Sequence, residues 1–290
     1  MQTIIQNLVF GLFVGSIYGI GALGLSLVFG VLKLLNVAHG EFVMIGAYAC
    51  YWIFVGLGID PFLSLVIVLP LMFGLGLIFN TLLFEPLTRL ETETKIRNSL
   101  LVSFGLGLVL QNGAQLWWTG DERSVQTSYA GLGFNLGGVV FPYTRLATFA
   151  LTLIAIFALW FLLQHTRLGK AIRATAEDWE AATQAGINIR WIYLVTFGLG
   201  VACAGIAGVL LAVTFGFQPN IGFVWTLKAL IVVVLAGTGS VFGAFPAGLL
   251  LGLAEAVSGL TIGADYREVV GLLLFLTVLL VRPQGLFGKE

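Results

Sequence analysis

The chain has 290 residues, of which 59% are hydrophobic and only 10% are charged, and its formal net charge is zero. Soluble domains carry about 25% charged residues. This composition, with a mean hydropathy of +1.02, therefore excludes a water-soluble protein, and the neutral charge gives no reason to expect a nucleic-acid partner. Long continuous apolar runs, rather than the alternating segments of a transmembrane β-barrel, predict an all-α polytopic helical bundle.

Nine apolar runs divide the chain. They fall near residues 5–31, 40–56, 62–84, 98–118, 143–164, 191–215, 226–241, 243–261 and 267–281. A transmembrane helix needs roughly 20 apolar residues, so we expect one membrane domain over residues 1–290 with about nine spans. The short run 226–241 also fits a re-entrant segment, which leaves eight to ten spans open. The N-terminus lacks the basic region of a signal peptide, so the first run is expected to remain as a span.

Positive charge is concentrated in alternate connections between the runs. Arg89, Lys95 and Arg97 lie between the third and fourth runs, four Lys or Arg residues lie within 166–190, and Arg282 follows the last run. The connections of the other parity carry little positive charge that is not beside an acid. Because basic residues mark cytoplasmic loops, we expect the N-terminus outside the cell and the C-terminus in the cytoplasm.

Glycines recur at four-residue spacing inside the predicted spans. Gly11, Gly15 and Gly19 follow this spacing in the first run, and Gly248 and Gly252 follow it in the eighth. Small residues at this spacing let two helix backbones approach closely. The pattern predicts a tightly packed bundle and does not indicate a function.

Polar residues surround Gly40 in the string NVAHGE. The boundaries of the first two runs place Asn36, His39 and Glu41 close to the cytoplasmic face, where water reaches them. Ionisable groups at membrane depth tend to face a cavity or to mark a pathway. The alternative is structural, with Asn36 or His39 capping the helix that follows. The residues alone leave both interpretations open.

No group of side chains suggests catalysis or a metal site. His39 and Glu41 have no nucleophile beside them, and the other histidine, His165, lies in a different loop, so a zinc ion would lack ligands. Cys50 and Cys203 lie inside apolar runs, which disfavours a disulfide or a redox role. The chain is predicted not to be an enzyme.

A second polar corner, GTGS, occupies residues 237–240. Thr238, Gly239 and Ser240 offer backbone amides and two hydroxyls, and irregular backbone is tolerated in a membrane where it lines a cavity or is buried in protein. No GxxxxGK[ST] phosphate-binding motif occurs in the chain. Any ATP must therefore be handled by another polypeptide, and no cofactor is expected on this one.

Two opposite charges stand inside the seventh and eighth runs. Lys228 opens one run, and Glu255 lies about two-thirds of the way along the next. With antiparallel helices both would lie toward the outer side, so we predict that they pair, because an unpaired charge there is unfavourable. The alternative is that Lys228 snorkels to the interface while Glu255 faces a wet vestibule.

The segment 166–190, TRLGKAIRATAEDWEAATQAGINIR, carries four basic and three acidic residues between two almost uncharged apolar runs. It predicts one helix over about 170–185 that ends at Gly186, a left-handed C-cap, with Arg173 and Glu177 paired four residues apart. Small side chains form one stripe of this helix and would let another backbone approach. The alternatives are a docking helix and a solvated helix joining two spans.

Glu180, Ala181 and Ala182, followed by Gly186, form an EAAxxxG string that resembles the cytoplasmic coupling loop of bacterial ABC importer permeases. Together with NVAHGEFVMIGAY, LAGTGSVFGA and LLVRPQGLFG, it makes the whole chain similar to the permeases of high-affinity branched-chain amino acid ABC importers. Two departures occur: Ala236 stands where the family corner begins with glycine, and no Ile-x-Leu-Pro follows Gly186. Urea-importer permeases look similar at the same motifs, so the substrate does not follow.

The resemblance implies a multi-pass protein of the bacterial inner membrane that works with other chains. These would be a second related permease, two ATPase subunits docked on the cytoplasmic face, and a periplasmic binding protein that contacts loops 119–142 and 216–225. The residues implied to couple the ATPase to the bundle are Arg173, Asp178, Glu180, Ala181, Ala182 and Gly186. Candidates for lining or gating the pathway are Asn36, His39, Glu41, Lys228, Thr238, Gly239, Ser240 and Glu255.

Two other classes of protein fit the residues less well than an ABC permease. A secondary transporter or channel would need a coupling-ion site or a selectivity filter, and no buried acidic cluster or repeated carbonyl motif is evident. An intramembrane enzyme would need a nucleophile and base, or metal ligands, at mid-membrane. The sequence therefore predicts an ATP-driven permease for branched-chain amino acids, with urea or a short-chain amide as the alternative substrate.

Overall fold

The computed structural model describes residues 2–237 and 239–288, and this part of the chain folds into eleven α-helices and one β-hairpin. The helices are α1 (Gln2–Leu32), α2 (His39–Leu57), α3 (Leu65–Phe79), α4 (Thr92–Trp118), α5 (Tyr143–His165), α6 (Arg167–Glu177), α7 (Trp179–Gln184), α8 (Ile189–Thr214), α9 (Ile221–Ala236), α10 (Ala244–Thr261) and α11 (Arg267–Val281). A π-helical turn, Asn80–Phe84, and a 3-10 helix, Glu85–Arg89, continue α3, and a 3-10 turn, Ala264–Tyr266, precedes α11.

Each of the nine predicted apolar runs overlaps a helix, which confirms the polytopic helical bundle, although α9 begins and ends five residues before the predicted run 226–241. Seven helices in the described residues are long and apolar enough to cross a membrane: α1 to α5, α8 and α10. The other two, α9 and α11, have 16 and 15 residues and are shorter than a full span of roughly 20 residues. The run suspected of being re-entrant is therefore a short helix, α9.

Helices α1 and α8 form the centre of the bundle. In their most apolar stretches, 72% of the α1 residues and 83% of the α8 residues are buried. α1 packs mainly against α10 and α8, while α2 and α3 pack on α8. The corresponding share is only 22% in α3, α4 and α5, whose outward faces carry large apolar side chains such as Leu101, Val109 and Ile154. These faces suit lipid.

The glycines at four-residue spacing meet at the crossing of α1 and α10. A Cβ placed on Gly15 would lie 2.6 Å from the carbonyl oxygen of Gly248, and one on Gly11 would lie 2.7 Å from that of Gly252. Contacts this short are not available to a real side chain. The two glycine rows therefore face each other and bring the backbones together, as the spacing predicted.

Replacing Gly15 with alanine should destabilise the protein by about 1–3 kcal/mol, because the new methyl group overpacks the crossing of α1 and α10. The matched control is Gly74→Ala in α3, where no atom lies within 4 Å of an added Cβ. Alanine is favoured over glycine in a helix by roughly 0.5–1 kcal/mol, so the control should be neutral or stabilising. Thermal unfolding in detergent measures both, and equal Tm values would contradict the close crossing.

The segment 119–142 contains a β-hairpin that was not predicted. Strand β1 (Gly133–Leu136) pairs antiparallel with β2 (Val139–Pro142), with Leu136 opposite Val139. The two turn residues, Gly137 and Gly138, have φ values of +61° and +87°, as a two-residue primed turn requires. A Gly-Gly pair between apolar residues is a recognised hairpin signal, so the sequence did carry this information.

The hairpin is fastened to the first turns of α1. The Gln6 side-chain amide donates to the Val140 carbonyl at 2.8 Å and accepts from the Val140 N–H at 2.7 Å. The N–H and the carbonyl of Val140, which point outward from strand β2, thus both have a hydrogen-bond partner. The hairpin is thus attached to the helix bundle on the side where the N-terminus lies.

Candidate functional site

The charged segment 166–190 forms two helices rather than the single helix predicted over 170–185. Asp178 has extended backbone angles, φ −150° and ψ 103°, and separates α6 from α7. Its carboxylate accepts from the N–H groups of Glu180 (2.9 Å) and Ala181 (3.0 Å). The prediction of a continuous helix is wrong because an aspartate that caps a new helix competes with the helix that precedes it.

The predicted end of the segment is confirmed at Gly186. This residue has φ +82°. Its N–H donates to the carbonyl of Thr183 (2.9 Å), and the N–H of Ile187 donates to the carbonyl of Ala182 (3.0 Å). These two bonds form a Schellman motif, which uses carbonyls that the last turn of α7 would leave free. A six-residue helix is thus fixed at its start by Asp178 and at its end by Gly186.

The four-residue spacing predicts that Arg173 pairs with Glu177, but the two side chains do not pair. Its guanidinium donates instead to the Gln164 side chain at 2.7 Å and to the carbonyl of Leu163. The last carbonyls of a helix lack partners within that helix, so they attract a cation. Arg173 therefore joins α6 to the end of α5 and holds the first half of the segment against the bundle.

Helix α7 is the exposed part of the segment. Asp178, Glu180, Ala181 and Gly186 are all exposed, whereas the Ala182 side chain is only 4% exposed. Trp179, which was not selected from the sequence, stands on α7 with 53% of its surface exposed. The predicted coupling residues are thus grouped on a short protruding helix, except Arg173 on α6 and the inward-facing Ala182.

The first polar corner lies deeper in the bundle than predicted. His39 Nε2 is 2.8 Å from the carbonyl oxygen of Gly21, and Gly21 lies only four residues, about 6 Å, from the midpoint of α1. Residues 33–38 are not helical, and they carry the chain back along α1 before α2 begins. Asn36, His39 and Glu41 are buried and α2 starts level with the middle of α1 rather than with its end, so the prediction that water reaches these residues at the cytoplasmic boundary is wrong.

Two serines on α4 support this returning segment. The N–H groups of Leu35 and Val37 donate to Ser99 Oγ and Ser103 Oγ, each at 3.0 Å. Unwound backbone is tolerated inside a membrane only where its polar groups find partners. The sequence analysis missed both serines. Their signal was two hydroxyls one helical turn apart in an apolar run.

Thr226 on α9 holds the start of α2. Its hydroxyl accepts from the Gly40 N–H at 2.9 Å and donates to the Val37 carbonyl at 2.8 Å. A Cβ on Gly40 would overlap the carbonyl oxygen of Gly222, so only glycine lets α9 approach this closely. Thr226 was also missed by sequence reasoning, and it connects the non-helical corner directly to α9.

Neither Asn36 nor His39 caps α2 with its side chain. Asn36 Oδ1 accepts from the N–H of Ala38 at 3.1 Å, one residue before the helix, while the His39 ring bonds to α1. Within the described residues, Asn36 Nδ2, His39 Nδ1 and Glu41 Oε2 are buried without a hydrogen-bond partner. Such atoms are uncommon in folded proteins, so these three residues stay candidates for lining a pathway.

The second corner lies elsewhere, near the end of α1. Gly239 has φ +93° and is exposed, and its Cα would be 3.6 Å from a Cβ on Gly30. The N–H of Ser240 donates to the carbonyl of Gly237 at 2.9 Å. Thr238 lies outside the described residues. Gly30 is nine residues beyond Gly21, about 14 Å along α1, so the structure does not bring the two corners together.

The C-terminal segment covers this second corner. The N–H groups of Leu286 and Phe287 donate to the carbonyls of Leu235 (2.8 Å) and Ala236 (3.0 Å). These carbonyls belong to the last turn of α9, which cannot satisfy them itself. The RPQGLFG string thus has a structural role, because it supplies hydrogen-bond donors to the last turn of α9.

Lys228 and Glu255 form the predicted ion pair. Lys228 Nζ lies 2.6 Å from Glu255 Oε1, and the side chains are only 13% and 9% exposed. The Tyr18 hydroxyl, which the sequence analysis did not select, donates to Glu255 Oε2 at 2.9 Å. The pair therefore joins α9, α10 and α1, and the alternative of two separate charges does not apply.

The two loops predicted to meet a binding protein contact each other. Arg123 and Phe217 exchange backbone hydrogen bonds of 2.9 and 2.8 Å, and Trp118 stacks on Tyr48 with ring centroids 4.1 Å apart. Tyr129 also donates to Asp60 at 2.6 Å. Burial and the neighbouring carboxylate raise the pKa of Tyr129 well above its ordinary value, which favours the protonated hydroxyl that donates to Asp60.

Comparison with known proteins agrees with this architecture. The chain is 35% identical to the high-affinity branched-chain amino acid transport system permease protein BraD of Pseudomonas aeruginosa, with 98% of this chain and 96% of BraD covered. It is 33% identical to LivH of Escherichia coli over the same shares. It is 26% identical to the ribose import permease protein RbsC of Escherichia coli, covering 78% of this chain and 70% of RbsC.

A solved structure and a family model complete the comparison. A chain of PsaBC from Streptococcus pneumoniae has a similar fold, with a TM-score of 0.51, 13% identity, and coverage of 95% of this chain and 91% of that chain. The family model described as branched-chain amino acid transport system / permease component matches residues 7–279. Helix bundle, sequence and family model agree: this multi-pass inner-membrane chain belongs to the permease components of branched-chain amino acid transport systems.

Proposed function

We propose that the chain is the permease subunit of an ATP-driven importer that carries branched-chain amino acids delivered by a periplasmic binding protein. The family and the names of its relatives support the substrate class. The nine apolar helices provide the membrane part, and the chain is not proposed to be an enzyme. ATP would be bound and hydrolysed by two separate ATPase subunits, so this chain needs no cofactor.

A single structural observation carries the proposed coupling to these ATPases. Helix α7 is short and exposed, and it is fixed at both ends by Asp178 and Gly186, while Arg173 joins the preceding helix to α5. A force applied to α7 would therefore pass into the bundle rather than bend a flexible loop. We place α7 in the cytoplasm, with the N-terminus outside and the C-terminus inside, as the distribution of basic residues indicates.

The remaining partners are those that the family of binding-protein-dependent importers implies. A second homologous permease would complete the pathway, and the binding protein would dock on the side of the β-hairpin and the joined loops at Arg123 and Phe217. Closure of the ATPase pair on ATP would move α7 of each permease and switch access from inward to outward. Asn36, His39 and Glu41, buried beside the middle of α1, are proposed to line the part of the pathway whose access changes.

Reconstituted uptake tests the proposal. Proteoliposomes containing the complete transporter should accumulate leucine and valine only with ATP inside and binding protein outside, and should accumulate ribose or urea no faster than protein-free vesicles. Uptake without the ATPase subunits would contradict the proposed function, and so would uptake of urea in preference to leucine.

Asp178→Ala tests the coupling role of α7. Losing an N-cap costs about 0.5–2 kcal/mol of helix stability. Because α7 has only six residues, we expect this loss to unfold the helix in much of the population, and ATPase stimulation and uptake should fall roughly tenfold. Asp178→Asn is the matched control, because asparagine caps as well but carries no charge. Both variants should assemble with the ATPase. Full activity of Asp178→Ala would show that the cap is not needed, and loss in Asp178→Asn would indicate that the charge matters instead.

A further inference from the structure

A polar cavity lies between the N-terminal half of α1, the starts of α5 and α11, and the facing parts of α9 and α10. Its volume is about 600 Å³, within the range of sites that bind small molecules. In the orientation proposed above, this is the side from which the binding protein delivers its ligand.

The floor of the cavity is the ion pair of Lys228 and Glu255. Both carboxylate oxygens of Glu255 are already in use, one by Lys228 at 2.6 Å and the other by the Tyr18 hydroxyl at 2.9 Å. The floor is therefore closed and electrically balanced. A charged ligand would have to be recognised by other groups in the walls.

Arg145 supplies a cation in one wall. Its guanidinium carbon lies 4.0 Å from the centroid of the Phe10 ring, and within the described residues it forms no ion pair with a carboxylate. A guanidinium carries five N–H donors in a planar fork that matches a carboxylate. The half-buried position makes an anion here favourable, since a desolvated cation without one is costly.

Two carboxylates lie in another part of the wall, around the start of α11. Asp265 and Glu268 line the cavity beside Arg267, and all three are exposed. Apolar surface is supplied by side chains such as Val14, Phe215 and Ala256. The lining of the cavity contains three cations and three carboxylates in total. Its charge therefore suits a ligand that is neutral overall but carries both a positive and a negative group.

We propose that this cavity binds an α-amino acid as a zwitterion, with the ligand carboxylate on Arg145, its ammonium group at Asp265 and Glu268, and its aliphatic side chain beside Val14. The proposal rests on the proposed function and adds to it an entry site within this chain. It makes Arg145 a substrate-binding residue and leaves Lys228 and Glu255 as the structural floor.

Thiol protection in the complete transporter tests the site. Val14→Cys places a reporter in the cavity, and the two native cysteines, Cys50 and Cys203, are buried. Leucine at about ten times its Kd leaves roughly one site in eleven free, so a membrane-impermeant thiol reagent should modify the reporter about tenfold more slowly. Leucinamide, which lacks the carboxylate, should give little protection at the same concentration.

Two further variants make the result specific. Arg145→Gln in the Val14→Cys background should abolish protection by leucine, and Arg145→Lys should restore part of it. Arg97→Gln removes a positive charge from an exposed side chain near the start of α4 that does not line the cavity, and it should leave protection unchanged. Protection that survives Arg145→Gln, or that is lost in Arg97→Gln, would overturn the proposal.

Uptake measured in parallel separates this proposal from the proposed function. If the transporter accumulates leucine while leucine fails to protect the reporter, only the site is wrong. If leucine is not accumulated at all by the unmodified transporter, the proposed function is wrong. A reporter that the reagent cannot reach even without leucine would also overturn the site, since the cavity would then be closed to small molecules.

Discussion

Lys228→Met should lower the free energy of unfolding by about 3–5 kcal/mol, because breaking a buried ion pair leaves the other charge uncompensated. The Glu255 carboxylate would keep the Tyr18 hydroxyl as a hydrogen-bond donor but would lose its counter-ion. Glu255→Gln should have an effect of similar size, because it leaves the Lys228 ammonium in the same place without an anion. Thermal unfolding of the purified protein in detergent measures both effects.

The double variant Lys228→Met/Glu255→Gln distinguishes a pair from two independent charges. It should be clearly more stable than the sum of the single effects predicts, since neither charge then remains unpaired. The control cycle uses Arg190 and Glu85, whose ion pair of 2.6 Å involves an arginine that is 69% exposed. Exposed pairs contribute about 0.2–1 kcal/mol, so this cycle should show little coupling. Additive effects in the buried pair would contradict the interaction.

Thr226→Val should destabilise the protein by leaving two buried backbone groups without partners. Valine has the shape of threonine without its hydroxyl, so the Gly40 N–H and the Val37 carbonyl would each lose a hydrogen bond. An unsatisfied buried polar group costs about 1–3 kcal/mol, and two such groups make this one of the largest single-site effects expected. The Tm of the purified protein reports the loss.

Matched variants show whether the hydroxyl or the side-chain shape matters. Thr226→Ser keeps the hydroxyl and should retain most of the stability. Thr277→Val removes an exposed hydroxyl that only bonds the Leu273 carbonyl one turn back in its own helix, and it should change Tm little. If Thr226→Val and Thr277→Val behave alike, Thr226 does not hold the start of α2.

The candidate coupling site was partly predictable. Gly186 was expected to end the segment, and its left-handed φ confirms this, because only local backbone geometry decides it. The break at Asp178 could have been predicted, since aspartate is a strong N-cap. The helical pattern on both sides of Asp178 instead favoured one continuous helix. The partner of Arg173 was not readable, because Gln164 and the end of α5 are brought to it by a chain reversal.

The sequence by itself indicated about nine apolar helices, close helix packing at the four-residue glycine spacing, and a pairing of Lys228 with Glu255. Each depends on composition, spacing or the cost of a lone charge in a membrane, which are local or nearly local quantities. Only the tertiary structure decided that α2 begins level with the middle of α1. That position depends on hydroxyls of Ser99, Ser103 and Thr226, which lie more than sixty residues away in the chain and satisfy backbone groups that no local pattern could pair.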